Sequence, residues 1–265
     1  MKKIFFTSLL VLMLTLATVG IAGAITDGEP DGEGHPYVGL LIFEVNGVVE
    51  WRCSGTLIAP DVVLTAGHCT DGATGGRIWF ESDLQGHPEF GYPKGSSYSI
   101  EFTEISTHPQ FHDGSFVMHD VGLVRLAQPV DRGGFGTLPT AGQFDGIKTG
   151  KKTTFTAVGY GLQASYPDAT AWKDSRQKTR MVAYPHLIMA DVPGFTGPYS
   201  FLLSNNHSTG GTCFGDSGGP NFLGNSNLVA AVTSYGINST CAGTGGVFRL
   251  DKQDVLDYIN AFLAE

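Results

Sequence analysis

The sequence predicts an all-β fold, a sandwich or a barrel. Three observations carry that expectation. Short apolar and β-branched runs recur along the chain, each bounded by Gly, Pro, Asp or Asn. Glycine is abundant, at 37 residues, and charged residues make up only 15% of the chain. That balance suits many turns between short strands better than a helical bundle. Helical periodicity is clear only at the very end.

Taken in order, residues 1–24 read as an export signal. Lys2 and Lys3 give a positive start, Ile4 to Leu16 is mostly apolar, and Ala22-Gly23-Ala24 supplies a small-x-small cleavage site. The apolar run is short for a membrane span, so a secreted mature domain over 25–265 is expected. Formal charge is −9, and it becomes two units more negative once both leader lysines are removed. Such a chain is expected to be soluble and monomeric, and to seek neither nucleic acid nor anionic membranes.

The clearest strand signals are YVGLLIFEV (37–45), GTLIAPDVVLTA (55–66), DVGLVRL (120–126), KTTFTAVGY (152–160) and NLVAAVTSYG (227–236). Residues 127–150, rich in Gly and Pro, read as a connection between two halves, and 162–210 as long loops with ill-defined strands. At the end, Asp251 is a plausible N-cap and Asp254 sits in the first turn. Val255, Tyr258, Ile259 and Phe262 then share one helical face.

Four cysteines follow the leader: Cys53, Cys69, Cys213 and Cys241. An even count in an exported chain favours two disulfides, and spacing alone leaves three pairings open. His108, His112 and His119 show no alignment suited to a metal and read as surface or structural residues. No metal or cofactor is expected. Asn206 and Asn238 each open an Asn-x-Ser/Thr acceptor sequence, which matters in a eukaryotic host.

Three short stretches carry the chemistry. VLTAGHC (63–69) places His68 after a strand and beside Cys69, where a disulfide would fix the backbone of a positioned base. HDVGLVRL (119–126) places Asp120 at the head of another strand, where a buried acid could hold the imidazole tautomer. GTCFGDSGGP (211–220) sets Ser217 among turn-forming glycines.

In that order these motifs resemble the trypsin/chymotrypsin-like serine peptidases, and WRCSGTLIAP, HPQF, VGYG and TSYG fall in the same family order. The resemblance covers essentially the whole mature chain. It implies two six-stranded antiparallel Greek-key β-barrels, at about 25–137 and 138–250, a C-terminal helix at about 251–264, and an active site between the barrels. It implies His68 as general base, Asp120 as its orienting partner and Ser217 as nucleophile, with an oxyanion hole formed by the N–H groups of Gly215 and Ser217. It pairs Cys53 with Cys69 and Cys213 with Cys241, and has Ser234 hydrogen-bonding Asp120. Gly67, Gly122 and Tyr160 depart from the usual family residues without touching the triad.

The resemblance also implies activation through a new N-terminus. Cleavage after Ala24 would leave Ile25 to insert and pair with Asp216. The family's substrate pocket maps onto Gly211 at the base, with Thr212 and Phe214 beside it and Gly236 and Gly246 as walls; Ser234 and Gly236 would offer main-chain groups to an extended peptide. With no carboxylate at the base, a bulky apolar or aromatic residue is expected before the scissile bond, not Arg or Lys. Expected partners are polypeptide substrates and protein protease inhibitors. Two other readings stay open on sequence alone: a catalytically silent binding module on the same fold, and a triad hydrolase acting on esters or on a narrow set of peptides.

Overall fold

Asn46 and Gly47 both take left-handed φ values, 53° and 80°. They form the tight two-residue turn that Asn-Gly favours between twisted strands, joining β2 (Val38–Val45) to β3 (Val48–Ala59) in register Val45↔Val48. β4 (Val62–Thr65) follows β3 after Pro60-Asp61, so the expected run at 55–66 is two strands and a turn. β5 (Gly75–Trp79), β6 (Ile100–Thr107) and β7 (Gly122–Leu126) complete a closed barrel in the order β2-β3-β4-β7-β6-β5. The computed structural model describes residues 25–111, 117–163, 177–193 and 196–265. Residues 1–24, expected to be the leader, and His112 lie outside the described residues.

The second barrel uses β8 (Gly150–Gly159), β10 (His186–Met189), β11 (Ser200–Asn205), β12 (Pro220–Leu223), β13 (Val229–Gly236) and β14 (Gly243–Arg249). Their order is β8-β10-β11-β14-β13-β12, and β12 returns to pair with β8, which closes the ring. β9 (Met181–Ala183) and β1 (Glu29–Pro30) extend outward from β8. Thus the described part of 162–210, expected to be long loops with ill-defined strands, contributes three strands. They are three to six residues long and lack a sustained alternation.

The final helix, Gln253–Leu263, starts one residue later than Asp251 as N-cap implied. Lys252 occupies the N-cap position without a side-chain cap. Asp251 is instead a buried anchor, accepting from the Arg249 guanidinium and from the Phe144 N–H at 2.7 Å. Val255, Ile259 and Phe262 share a core with Val62 and Leu64 of the first barrel and with Val232 and Phe248 of the second. Burying each contributes about 2 kcal/mol, so the helix staples the barrels together. No described helix is long and apolar enough to cross a membrane.

A second clasp is ionic. Arg180, fully buried, donates from Nε to Asp31 at 2.8 Å and from Nη1 to the carbonyls of Val38 and Phe80. Asp31 also accepts from His35 Nδ1 at 2.6 Å. Burial opposes ionisation of Asp31, but His35 and Arg180 outweigh it and hold the carboxyl below its usual value. The pair's stabilisation is therefore present above the ordinary carboxylate range and is lost as pH falls through the lowered pKa. Asp31→Ala strands a buried guanidinium and is expected to cost about 3–5 kcal/mol, roughly 10 °C in a calorimetric melt; an unchanged melt would show the clasp to be dispensable.

Candidate active site

β4 ends at Thr65, and Gly67–Thr70 forms a single helical turn that carries His68 out of the first barrel. The Cys53–Cys69 disulfide ties this turn to β3, and a ring nitrogen of His68 and both sulfurs lie within 4.8 Å of one another. Bonded to each other, these sulfurs offer no thiolate to a metal; they brace the imidazole.

Asp120 arrives from the other side, two residues ahead of β7. His119 takes a left-handed φ of 52°, and the Val121 N–H folds back to the His119 carbonyl. That turn aims the Asp120 carboxylate inward, where it is only 1% exposed. Its Oδ1 accepts the main-chain N–H of His68 at 2.8 Å. Its Oδ2 accepts from His68 Nδ1 at 2.9 Å and from the Ser234 hydroxyl at 2.5 Å. Burial works against an imidazolium at His68, yet the charge and hydrogen bonds of Asp120 overcome it and raise the pKa above the ordinary value.

The histidines around this turn are structural. His108 and His119 are buried and stack with ring centroids 4.8 Å apart, and His119 Nε2 meets Asp254 of the terminal helix at 2.9 Å.

Ser217 stands on the loop between β11 and β12, held to the segment before β14 by the Cys213–Cys241 disulfide. Its carbonyl accepts the Ser54 N–H of β3 at 2.8 Å, and the next N–H, of Gly218, donates to Thr233 of β13 at 2.8 Å. Gly218 has a φ of 76°, and a Cβ there would stand 2.0 Å from Thr65 Oγ1. Only glycine lets the serine loop close on the histidine strand. His68 and Ser217 thereby line one cavity of about 260 Å³. Among the described residues no hydrogen bond joins Ser217 Oγ to His68; bonds of this kind commonly tighten only in the complex with substrate. Neither the Gly215 nor the Ser217 N–H is taken by another described group, and Gly215, with a φ of 98°, accepts the Ser54 hydroxyl on its carbonyl at 3.0 Å.

The pocket differs from expectation at two positions. Thr212, Phe214, Ser234 and Gly236 line the cavity, but Gly211 and Gly246 do not. A Cβ on Gly211 would lie 2.2 Å from Cγ of Asn205, whose amide donates to the Thr212 carbonyl at 2.8 Å. Asn205 therefore fills the space expected at the base. A shift in the β13–β14 pairing at Ser234 sets Gly236 opposite Gly245, and the Tyr235 ring covers Gly246. Gly245 instead faces Thr212, whose Oγ1 would be 2.9 Å from a Cβ there. Thr212 thus floors the slot above Gly211. Nothing in the local sequence marks Asn205, which reaches the site only through the pairing of β11 with β14.

Ile25 and Asp216 are not hydrogen-bonded to each other. Ile25 is fully buried against Ala157, Met181 and Ala183, and Thr26 bridges to Gly211. The Asp216 carboxylate accepts the N–H groups of Gly161 at 2.7 Å and Cys213 at 2.8 Å. An α-ammonium at Ile25 requires cleavage of the bond from Ala24.

Two closed barrels, with histidine and aspartate on one and serine on a loop of the other, define the class of chymotrypsin-like two-barrel proteins. The chain belongs to the trypsin family: the family model Trypsin matches residues 26–255. It is 30% identical to Serine protease 1 of Drosophila melanogaster over 233 residues, 86% of this chain and 82% of that protein. To Brachyurin of Leptuca pugilator it is 32% identical, covering 71% of this chain and 77% of that one. Among solved structures it is similar in fold to HL collagenase, with a TM-score of 0.70, 19% identity and coverage of 91% and 99%. A human heparin-binding protein variant matches with a TM-score of 0.67, 18% identity and coverage of 91% and 97%.

Proposed function

We propose that this chain is a secreted serine endopeptidase that hydrolyses peptide bonds through an acyl-enzyme. The observation that carries the reading is the linked set of bonds from the Ser234 hydroxyl through Asp120 to His68 Nδ1, in a cavity shared with Ser217. With Nδ1–H given to Asp120, Nε2 is the nitrogen left to take the Ser217 proton as its oxygen attacks the carbonyl and later to return it to the leaving amine. The Gly215 and Ser217 N–H groups would receive the developing oxyanion, where loss of one donor costs on the order of 3 kcal/mol of barrier.

Intact-mass analysis after treatment with a fluorophosphonate tests this. One adduct per chain, lost in Ser217→Ala, is the expected result; a correctly processed chain that takes no adduct would favour a silent binding module. Peptide and ester substrates run side by side then separate a peptidase from an esterase.

For the residue before the scissile bond, the slot offers no carboxylate among its lining side chains, so an apolar residue is preferred to Arg or Lys. Thr212 limits its depth. Thr212→Gly is expected to raise kcat/KM on Phe or Tyr relative to Leu by about tenfold, in the range of one methylene-sized change in an apolar pocket. An unchanged ratio across a peptide library would mean that Thr212 does not set the floor.

A further inference from the structure

A larger cavity, about 500 Å³, opens on the opposite side of the serine loop from the pocket above. Phe214, 43% exposed, lines both, and Gly215 lines the larger one. The Ser217 peptide lies between β3, through Ser54, and β13, through Gly218 and Thr233. The slot on the β13 side takes the residue before the scissile bond under the proposed function. A chain continuing past Ser217 therefore runs out along β3 into this second cavity.

Two cations stand on its wall. Arg52 is two residues before Ser54, on the same face of β3 and about 7 Å along the strand. Its Nε would be 3.3 Å from a Cβ on Gly215, and Nη1 reaches the Gln177 carbonyl at 3.5 Å. Lys178 follows immediately, with Nζ 3.3 Å from Gln85 Oε1 and 5.3 Å above the Tyr92 ring. Among the described residues neither forms a salt bridge. Glu50 is the single acid on the same wall, and the buried Asp216 carboxylate, behind Gly215, feels the Arg52 charge. Burial, and after it the neighbouring Arg52 charge, hold the Lys178 pKa down.

Resting on the peptidase reading, we infer that Arg52 and Lys178 form a leaving-side subsite that selects substrates with an acidic residue one or two positions after the scissile bond. Two extended residues reach about 7 Å, the distance from the Ser54 contact to Arg52. A carboxylate there gives both cations an ion-pair partner that neither has among the described residues, while Lys or Arg at the same place meets two like charges.

The test uses the mature enzyme and matched peptides, identical before the scissile bond and carrying Glu, Gln or Lys at the first or second position after it. Wild type is expected to favour Glu over Gln by about fivefold in kcat/KM, the upper range for a partly exposed ion pair, and to disfavour Lys. The ratio should shrink in high salt and fall towards one in Lys178→Gln and in Arg52→Gln. Because each ratio is taken within one variant, a change in folding or overall activity does not move it. Peptide hydrolysis with a Glu:Gln ratio near one in the wild type, or a ratio unmoved in both variants, overturns the subsite alone. Absence of hydrolysis together with absence of a phosphonate adduct overturns the peptidase reading and this inference with it.

Discussion

Asp120→Asn is expected to lower kcat/KM by about four orders of magnitude, the scale typical of serine triads that lose the acid, while the melt falls by only a few degrees. The size follows from how fully the carboxylate is used. One oxygen receives the His68 main-chain N–H and the other receives both His68 Nδ1 and the Ser234 hydroxyl. An asparagine must put its NH2 on one of these oxygen positions. Facing Nδ1, it forces the ring proton onto Nε2, the nitrogen that has to accept from Ser217. Facing the main chain, it leaves a buried N–H without an acceptor, which costs about 1–3 kcal/mol.

The pH profile gives a second readout. Catalysis requires neutral His68, so the rate rises with pH through a pKa that Asp120 holds above the ordinary imidazole value against the opposing effect of burial. Without the charge, burial dominates and the acid limb moves to lower pH. For stability the sign is reversed: the contribution from the raised His68 pKa is fully present below the ordinary imidazole value and fades as pH rises through the raised pKa. Ser234→Ala removes one of the three donors and should cost tenfold to a hundredfold, roughly the worth of one charge-assisted hydrogen bond. An Asn variant that keeps a tenth of the activity would dismiss Asp120 from the mechanism.

Much of this site was legible because its residues sit in short contiguous motifs. His68 follows a strand signal and Asp120 leads one, Ser217 sits in a glycine-rich turn, and Cys69 and Cys213 fall beside His68 and Ser217. The barrel walls were less uniformly readable. β2 and β13 are nearly continuous apolar runs, whereas β8, GKKTTFTAVG, is polar and mostly exposed over its first half, and β6, IEFTEIST, is polar at every second or third position and half-exposed along most of its length. β9 to β11 are short and set between loops. The long-range contacts were invisible for another reason. Arg180 meets Asp31 across 149 residues, and the β13–β14 shift that exchanges Gly246 for Gly245 is a property of pairing, with no mark in either strand alone. Local chemistry could be read; registry and long-range pairing had to be seen.

Cleavage after Ala24 is expected to act as a stability switch as well as a catalytic one. Asp216 is fully buried and surrounded by main chain. Desolvation outweighs the N–H groups of Cys213 and Gly161 and the charge of Arg52, so its pKa is pushed up to about 7. For an acid with a raised pKa the folded chain is undisturbed at low pH. It then loses stability as pH climbs from the ordinary value of 3.8 to about 7, a penalty on the order of 4 kcal/mol above that window. An ammonium placed beside the carboxylate removes the penalty.

Ile25 is positioned for this by its buried side chain and by the Thr26–Gly211 bridge next to it. It also holds a left-handed φ of 53°, poor for a β-branched residue. That angle exists only while the bond from Ala24 does, so cleavage releases about 1–3 kcal/mol of backbone strain. A chain beginning at Ile25 should therefore melt about 10 °C above one with a few residues left ahead of it. The gap should widen between mildly acidic and neutral pH, and only the shorter chain should take the phosphonate. Asp216→Asn should invert the order, stabilising the extended chain above neutral pH and destabilising the one that begins at Ile25. Equal melts and equal labelling of the two chains would end the idea that the leader's removal assembles the site.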